Sequence, residues 1–206
     1  LYSDFMALME KGGPIMWVIF VAACIAMVML IWQSFRIFSL SNSAKHDYTK
    51  LQNSNDFIPS NSAYNSSPVA QLLTLINWGD VTSKEDLAKE MNIHLAEIMP
   101  KLEGTLPTIA TLGSLLPMLG LLGTVIGMIN VFEAIALHGT GDPEEMADGI
   151  SQALLTTASG LIIAIPIIFF HHLLARRVNA LTAITGQAMQ MILHRDIALY
   201  KTTIKP

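Results

Sequence analysis

The sequence has few charged residues, a single cysteine and no cluster of basic residues. Only 14% of its 206 residues are charged, whereas 52% are hydrophobic. A formal net charge of -4, with no basic cluster interleaved with aromatic residues, excludes a nucleic-acid-binding protein. Cys24 lies in an apolar run, so one chain can form neither a disulfide framework nor a thiolate metal site. The mean hydropathy of +0.48 is typical of a membrane protein.

Charged side chains are also absent from three long stretches, residues 15–31, 106–132 and 150–174. The second would form a helix of roughly 40 Å at about 1.5 Å per residue, enough to cross a bilayer core of about 30 Å. The first follows Gly12, Gly13 and Pro14, which are predicted to break any earlier helix. A cleaved signal peptide is the alternative for that stretch, but it lacks a basic leading segment and a small-residue cleavage site. We therefore predict three transmembrane helices.

Basic residues near the ends of these stretches predict the orientation. They follow the first, precede the second and follow the third: Arg36, Lys45, Lys101, Arg176 and Arg177. The loop between the second and third stretches carries only acidic charges. The chain is thus expected to start outside, to end in the cytoplasm, and to expose the long segment after the first span to the cytoplasm.

That cytoplasmic segment is predicted to be partly irregular and partly helical. Residues 39–67 are rich in serine and asparagine and read as a polar, partly irregular stretch. Ser67 and Pro68 begin a short amphipathic helix, and Thr82 or Ser83 reads as the cap of a second one. Pro100 and Pro107 are expected to bend, rather than end, the junction of this second helix with the span that follows.

Small residues form one stripe along the second span at helical spacing. They are Gly113, Pro117, Gly120, Thr124 and Gly127, with Gly123 beside them. Helices in lipid associate through such residues, so ordinary helix packing is one interpretation of the glycines. Thr124 is open to two interpretations, a hydroxyl bonded to its own preceding turn or part of a polar pathway.

The third span carries a similar but more polar stripe. Gly149, Ala153, Thr156, Gly160 and Ala164 share it, and Gln152 and Thr157 lie on its two shoulders. Unpaired amides and hydroxyls are costly in hydrocarbon, so this face must meet protein or water. A ring of several copies enclosing these faces would satisfy that requirement. Pro117 and Pro166 are candidate helix bends, or tolerated kinks without consequence.

No arrangement of residues indicates an enzyme. The sequence offers no Ser-His-Asp set, no metal-ligand spacing and no phosphate-binding loop. We predict neither catalytic residues nor a metal site nor a cofactor.

Two motifs resemble the ExbB and TolQ family of ion-driven motor subunits. The first runs from Gly120 through Gly123-Thr124 to Gly127, and the second from Gly149 to Gly160, followed by Ile165-Pro166. The three-span layout agrees, whereas the flagellar relative MotA has four spans. The resemblance covers about residues 67–178. It implies an all-α membrane protein with three transmembrane helices and long cytoplasmic helical extensions, assembled as a homopentamer in the inner membrane of a Gram-negative bacterium.

With this layout, the chain divides as follows. We predict a periplasmic segment 1–13, transmembrane helix 14–38, a cytoplasmic helical loop region 39–104, transmembrane helix 105–135, a periplasmic hairpin 136–148, transmembrane helix 149–174 and a cytoplasmic C-terminal helix 175–206.

The resemblance also implies partners and site residues. The pentamer would surround transmembrane helices of an ExbD or TolR type partner that carries a titratable aspartate, and force would reach a TonB or TolA type protein. Thr124 and Thr157 match the family's pore-facing threonines, which pass a proton (H+) or a hydrated ion near that aspartate, and Thr156 belongs to the same predicted pathway. Gln152 stands where many members have a glutamate, so a proton relay through that position is in doubt. An ExbB role, a TolQ role and a passive scaffold are the alternatives.

Overall fold

The computed structural model describes residues 2–54, 58–59, 67–138 and 143–195, and these form five α-helices. Their bounds are α1 Tyr2–Asn53, α2 Pro68–Leu75, α3 Lys84–Glu103, α4 Leu106–His138 and α5 Pro143–His194. Stretches long and apolar enough to cross a membrane lie in α1, α4 and α5. The prediction of an all-helical protein with three candidate spans is confirmed.

The described residues divide between two compact units. The apolar unit comprises those of Leu1–Ile31 and Thr105–His172, and the polar unit comprises those of Trp32–Gly104 and Leu173–Pro206. In the apolar unit, buried side chains of α1, α4 and α5 form one cluster. Its members are Ile19, Ala23, Ala26, Ile109, Leu116, Ala164 and Ile167. Much of the remaining apolar surface of these helices is exposed, which suits a lipid or protein environment better than water.

Gly13 interrupts α1 ahead of its apolar stretch. Its φ of 65° and ψ of -165° are not helical, and Pro14 follows. Glycine adopts this backbone conformation readily because it has no Cβ, and proline cannot donate the amide hydrogen bond that would continue the helix. The predicted break is confirmed, with Gly13 as the residue that departs from the helix.

The polar unit contains more of α1 than the composition suggested. Residues 39–67 read as partly irregular, yet α1 continues to Asn53. Ile37, Ala44 and Leu51 recur every seven residues and are fully buried, so a narrow apolar seam holds this serine- and asparagine-rich part of the helix. Residues 39–53 of this stretch are therefore helical, whereas residues 54, 58–59 and 67, the others of it that the structure describes, are not in a helix.

The predicted helix starts in the polar unit are present. Ser67 caps α2 by accepting from the amide of Ala70, and its hydroxyl donates to the carboxylate of Asp47 on α1. Ser83, one of the two candidate caps, begins α3 in a reciprocal capping box with Asp86. Local sequence therefore determines both starts.

The end of α3 differs from the prediction. Pro100 lies inside α3, and the helix ends at Glu103 with Gly104 as its C-cap, where φ is 55° and ψ is -117°. α4 begins two residues later, at Leu106. The expectation that Pro100 and Pro107 would bend a continuing helix is wrong, because Gly104 leaves the helical conformation between them.

Arg195 pairs with the end of α1. Its Nη2 donates to the carbonyl oxygen of Leu51 over 2.5 Å and to that of Ser54 over 2.7 Å. A cation at the carboxyl end of a helix also complements the helix dipole.

Some predicted segments fall partly outside the described residues. These are residue 1 of the segment 1–13, residues 139–142 of the hairpin 136–148, residues 55–57 and 60–66 of the region 39–104, and residues 196–206 of the C-terminal helix. The predicted segment boundaries stay predictions.

Candidate functional site at the contact of α4 and α5

Glycines of α4 lie against α5 within one chain. A Cβ added at Gly120 would come within 2.9 Å of the Thr156 carbonyl oxygen, and one at Gly127 would come within 2.9 Å of the Ala153 Cβ. On α5, a Cβ at Gly160 would lie 2.7 Å from the Leu116 carbonyl oxygen. These distances are shorter than ordinary van der Waals contact, so the two backbones approach closely only because side chains are missing.

Two further glycines of the stripe also face α5. A Cβ at Gly123 would meet the Thr156 side chain at 2.3 Å, and one at Gly113 would meet Ile168 at 3.0 Å. All five glycines predicted to pack helices thus lie where α4 and α5 approach within this chain.

Thr157 joins the two helices by a hydrogen bond. Its Oγ1 donates to the carbonyl oxygen of Gly120 on α4 over 2.9 Å, and the side chain is half-buried. The close approach at Gly120 and Gly160 brings this carbonyl within reach of a short side chain.

Thr156 and Thr124 bond to their own helices instead. Thr156 is 1% exposed and donates to the Ala153 carbonyl oxygen over 2.9 Å. Thr124 is half-buried and donates to the Leu121 carbonyl oxygen over 2.5 Å, one turn earlier on α4. The hydrogen bonds of the described residues do not join Thr124 to Thr157. The three predicted pathway threonines therefore form two groups, with Thr156 and Thr157 at the contact and Thr124 bonded to its own backbone.

Gln152 lies against the break in α1. A Cβ at Gly13 would come within 2.1 Å of the Gln152 Nε2, so the carboxamide occupies the space that the glycine leaves free. The sequence predicted both the break at Gly13 and the polar character of Gln152. It did not predict their contact, because helical periodicity relates residues of one helix and says nothing about which helix a side chain meets.

The site lacks formal charge. Residues 106–132 and 150–174 contain no Asp, Glu, Lys or Arg, and His171 and His172 lie near the end of the second stretch, so the polar groups around Thr156 and Thr157 are hydroxyls, carboxamides and backbone carbonyls. Pro117 and Pro166 lie inside α4 and α5, which continue on both sides of them. The hydroxyls and carboxamides of this site can offer hydrogen bonds to a proton carrier or a hydrated ion, but they cannot themselves titrate near neutral pH.

Comparison with known proteins gives the family. The model of the MotA/TolQ/ExbB proton channel family matches residues 63–186. The chain belongs to this family. The matched residues include all of α2, α3 and α4 and the part of α5 that carries the site.

Individual relatives of this MotA/TolQ/ExbB chain carry two different names. A Tol-Pal system protein TolQ of Pseudomonas aeruginosa is 35% identical over 55% of this chain and 50% of its own length. A biopolymer transport protein ExbB of Salmonella typhimurium is 39% identical over 44% of this chain and 38% of its own. The biopolymer transport protein exbB1 of Vibrio cholerae is 27% identical, over 95% of this chain and 93% of its own.

The chain therefore spans about half the length of the TolQ relative and less of the Salmonella ExbB. Together with the three apolar helices, these relatives indicate a multi-pass protein of the inner membrane.

Proposed function

We propose that this chain is the channel-type subunit of an ion-driven motor in the cytoplasmic membrane of a Gram-negative bacterium. In an ExbB-like role, this subunit would use the proton motive force to energise TonB-dependent transport across the outer membrane. The N-terminus would be periplasmic and the C-terminus cytoplasmic, as the basic residues near the spans predict. The observation that carries the proposal is the hydrogen bond of Thr157 between two charge-free stretches, residues 106–132 of α4 and 150–174 of α5, in a chain of the proton channel family.

The proposed assembly is a homopentamer around the transmembrane helices of an ExbD or TolR type partner. Two features of the apolar unit support an assembly. Exposed apolar side chains cover much of α4 and α5, and a shallow depression runs along α5. Its lining consists of Ala147, Ile150, Ser151, Leu154, Leu155 and Ala158. Small and apolar side chains of this kind suit close contact with another helix in a membrane.

The proposed ion pathway uses hydroxyls of this chain and an acid of the partner. Because residues 106–132 and 150–174 lack a carboxylate, the titrating group would be the partner's transmembrane aspartate. Thr157 and Thr124 would offer hydroxyl oxygens to H+ carriers near that aspartate. Thr156 and Gln152 belong to the same predicted pathway, and the burial of Thr156 supports a role in holding Thr157 against α4.

The energy scale bears on the mechanism. A potential of 100 mV supplies roughly 2.3 kcal/mol for each elementary charge that crosses the membrane. One ion therefore delivers little work, and a stroke that moves helices against one another would need several ions. A ring of identical subunits around one axis would let successive ions act at equivalent sites.

A TolQ-like role, energising a TolA type protein for envelope integrity, is the second candidate. The observation behind it is the TolQ relative, which is 35% identical over 55% of this chain. A passive scaffold that only stabilises its partner is the third.

Replacing Thr157 tests the motor against the scaffold. The Thr157→Val variant removes the hydroxyl at nearly constant volume, and Thr157→Ser keeps it. The full chain, coexpressed with an ExbD or TolR type partner, would be assayed for proton flux in proteoliposomes, and its copy number would be counted by native mass spectrometry. The motor predicts a pentamer in both variants, with flux lost only in Thr157→Val.

The matched control is Thr111→Val. Thr111 is an exposed threonine of α4 whose hydroxyl donates to the Pro107 carbonyl oxygen, outside the α4–α5 contact. Its replacement should leave flux unchanged. Normal flux in Thr157→Val would contradict the pathway and favour the scaffold, and a monomer in the mass spectrum would contradict the assembly.

A further inference from the structure

Gln33 is a fully buried polar side chain that lies outside the site described above. It belongs to α1 and is 0% exposed, so its carboxamide has given up water entirely. Buried carboxamides are tolerated in folded proteins when they are hydrogen-bonded. The acceptors of these hydrogen bonds indicate the structural role of Gln33.

The carboxamide of Gln33 is directed at the end of α3. Its Nε2 donates to the carbonyl oxygen of Glu103 over 2.8 Å and, more weakly, to that of Leu102 over 3.4 Å. These residues are the last two of α3, and the last four carbonyls of a helix have no partner within it. A side chain from α1, some 70 residues away in sequence, thus pairs carbonyls that α3 itself leaves unpaired.

Gly104 makes room for this arrangement. Its φ of 55° lies in the left-handed region, and its amide donates back to the Pro100 carbonyl oxygen over 3.0 Å. A Cβ there would come within 2.9 Å of Gln33 Oε1 and 2.6 Å of Arg36 Nη1. A residue other than glycine would therefore be strained in the backbone and would also displace the two α1 side chains.

Arg36 adds charge to the same place. It lies one turn after Gln33 on α1, and its guanidinium is beside Gly104. A cation near the carboxyl end of a helix is favourable because that end carries partial negative charge. The carboxamide and the guanidinium therefore both favour ending α3 at this residue.

We infer that Gln33 is a positioning residue that caps α3 from α1 and, with the side-chain-free Gly104, fixes the residue at which α3 ends. The cap ties the end of α3 to α1, so the last turn of α3 cannot fray without breaking the bonds from the buried Gln33 carboxamide to the carbonyl oxygens of Leu102 and Glu103. The inference concerns this cap alone and does not depend on ion conduction.

Hydrogen exchange tests it on the full chain in lipid nanodiscs. The Gln33→Met variant keeps the length and approximate volume of the side chain but loses both N–H donors. Amides of the last turn of α3, including that of Gly104, should exchange about tenfold faster, the effect expected from losing one net hydrogen bond of about 1.4 kcal/mol. Amides in the middle of α3 should keep their rates. Unchanged exchange at residues 101–104 would overturn the inference, because a packing role alone would survive the change to methionine.

Two further variants sharpen the test. Gln52→Met makes the same change at an exposed glutamine of α1 and should alter nothing in α3. Gly104→Ala should also speed amide exchange in the last turn of α3, because the added Cβ clashes with Gln33 and Arg36. This variant tests the same cap if Gln33→Met fails to fold. Because Gln33→Met and Gly104→Ala disrupt the same cap, the amides of the last turn should exchange no faster in the double variant than in the faster of these two single variants. Additive effects would overturn the coupling. Proton flux is measured separately with Thr157→Val, so failure of the proposed function and failure of this cap are read from different assays.

Discussion

The hydroxyl of Thr157 on α5 donates to the carbonyl oxygen of Gly120 on α4 over 2.9 Å. In a helix that carbonyl also accepts from the amide four residues later, which is that of Thr124. The bond from Thr157 is therefore a second bond to an oxygen that already has a partner. Its removal leaves no carbonyl unpaired, so the hydroxyl can be deleted with little loss of stability.

We predict that Thr157→Val lowers the free energy of unfolding by only about 0.6 kcal/mol, the average for hydrogen bonds between helices in a membrane. Reversible unfolding of the full chain in bicelles measures this value. Thr157→Ser, which keeps the hydroxyl, is the control for losing the bond. A loss well above about 2 kcal/mol in Thr157→Val, more than such bonds between membrane helices contribute, would contradict the prediction. The flux assay could then no longer separate a loss of conduction from a loss of folding.

Close backbone approach at Gly160 predicts a larger effect for a single methyl group. The added Cβ would lie 2.7 Å from the Leu116 carbonyl oxygen and 3.2 Å from the Gly120 Cα, and backbone atoms cannot move aside as a side chain can. Gly160→Ala should therefore destabilise the chain by about 1–3 kcal/mol, the usual cost of overpacking. The same unfolding measurement checks it.

Gly186 of α5 is the matched control for this substitution. Nothing lies within 4 Å of a Cβ built there, and the residue is helical. Gly186→Ala should raise stability by about 0.5–1 kcal/mol through helix propensity alone. If both alanine variants are stabilising, the contact between α4 and α5 is looser than the structure indicates.

The elements that could be predicted from sequence are those with a local cause. Absence of charge over residues 106–132 and 150–174 is enough to indicate spans, because a charged side chain is costly in a bilayer. Ser67 and Ser83 mark helix starts because a short hydroxyl side chain can accept from the first free amides. Gly13 marks a break because its backbone conformation suits glycine.

What could not be predicted depends on contacts between distant residues. Periodicity places Gly120 and Thr124 on one stripe, but the glycine meets α5 of the same chain while the threonine bonds to its own helix. The sequence does not indicate the capping role of Gln33, because a glutamine after an apolar run is typical of a membrane interface. Its role becomes clear only from its hydrogen bonds to the end of α3. The seven-residue spacing of Ile37, Ala44 and Leu51 is present in the sequence, but the serines and asparagines around these residues favour an irregular, exposed segment.

The break in α1 predicts a coupled effect of Gly13 and Gln152. Gly13→Ala places a Cβ within 2.1 Å of the Gln152 Nε2 and forces alanine into a left-handed φ of 65°. We expect a loss of about 1–3 kcal/mol from the backbone conformation, with a further loss from the clash. Unfolding in bicelles gives the total.

A double variant separates these two contributions. Adding Gln152→Ala to Gly13→Ala removes the clash but leaves the backbone strain, so stability should recover in part and remain below that of Gln152→Ala alone. Full recovery would show that residue 13 tolerates a Cβ, and no recovery would show that Gln152 lies elsewhere.

The capping box of α3 predicts a pH dependence outside the membrane-spanning segments. Hydrogen bonds from the Thr82 hydroxyl, at 2.7 Å, and then from Ser83 lower the pKa of Asp86 from 3.8 to about 2. Because the folded pKa lies below the unfolded one, the carboxylate stabilises the start of α3 fully above pH 3.8 and loses this effect as the pH falls through about 2. The carboxyl carbon shift of Asp86, followed by NMR, should titrate near this lower value.

Asp86→Asn tests whether this charge, rather than the side-chain shape, protects the first turn of α3. Asparagine can still accept from the Ser83 amide but carries no charge to favour the N-terminus of the helix. Amides of the first turn should therefore be less protected at neutral pH than in the wild type, with no further loss of protection on acidification beyond the intrinsic pH dependence of exchange. Glu85→Gln, which removes an exposed first-turn charge next to Asp86, should retain the wild-type pH profile. An Asp86 that titrates at its ordinary value of 3.8 would mean that the box is open in solution and that Ser83 alone caps the helix.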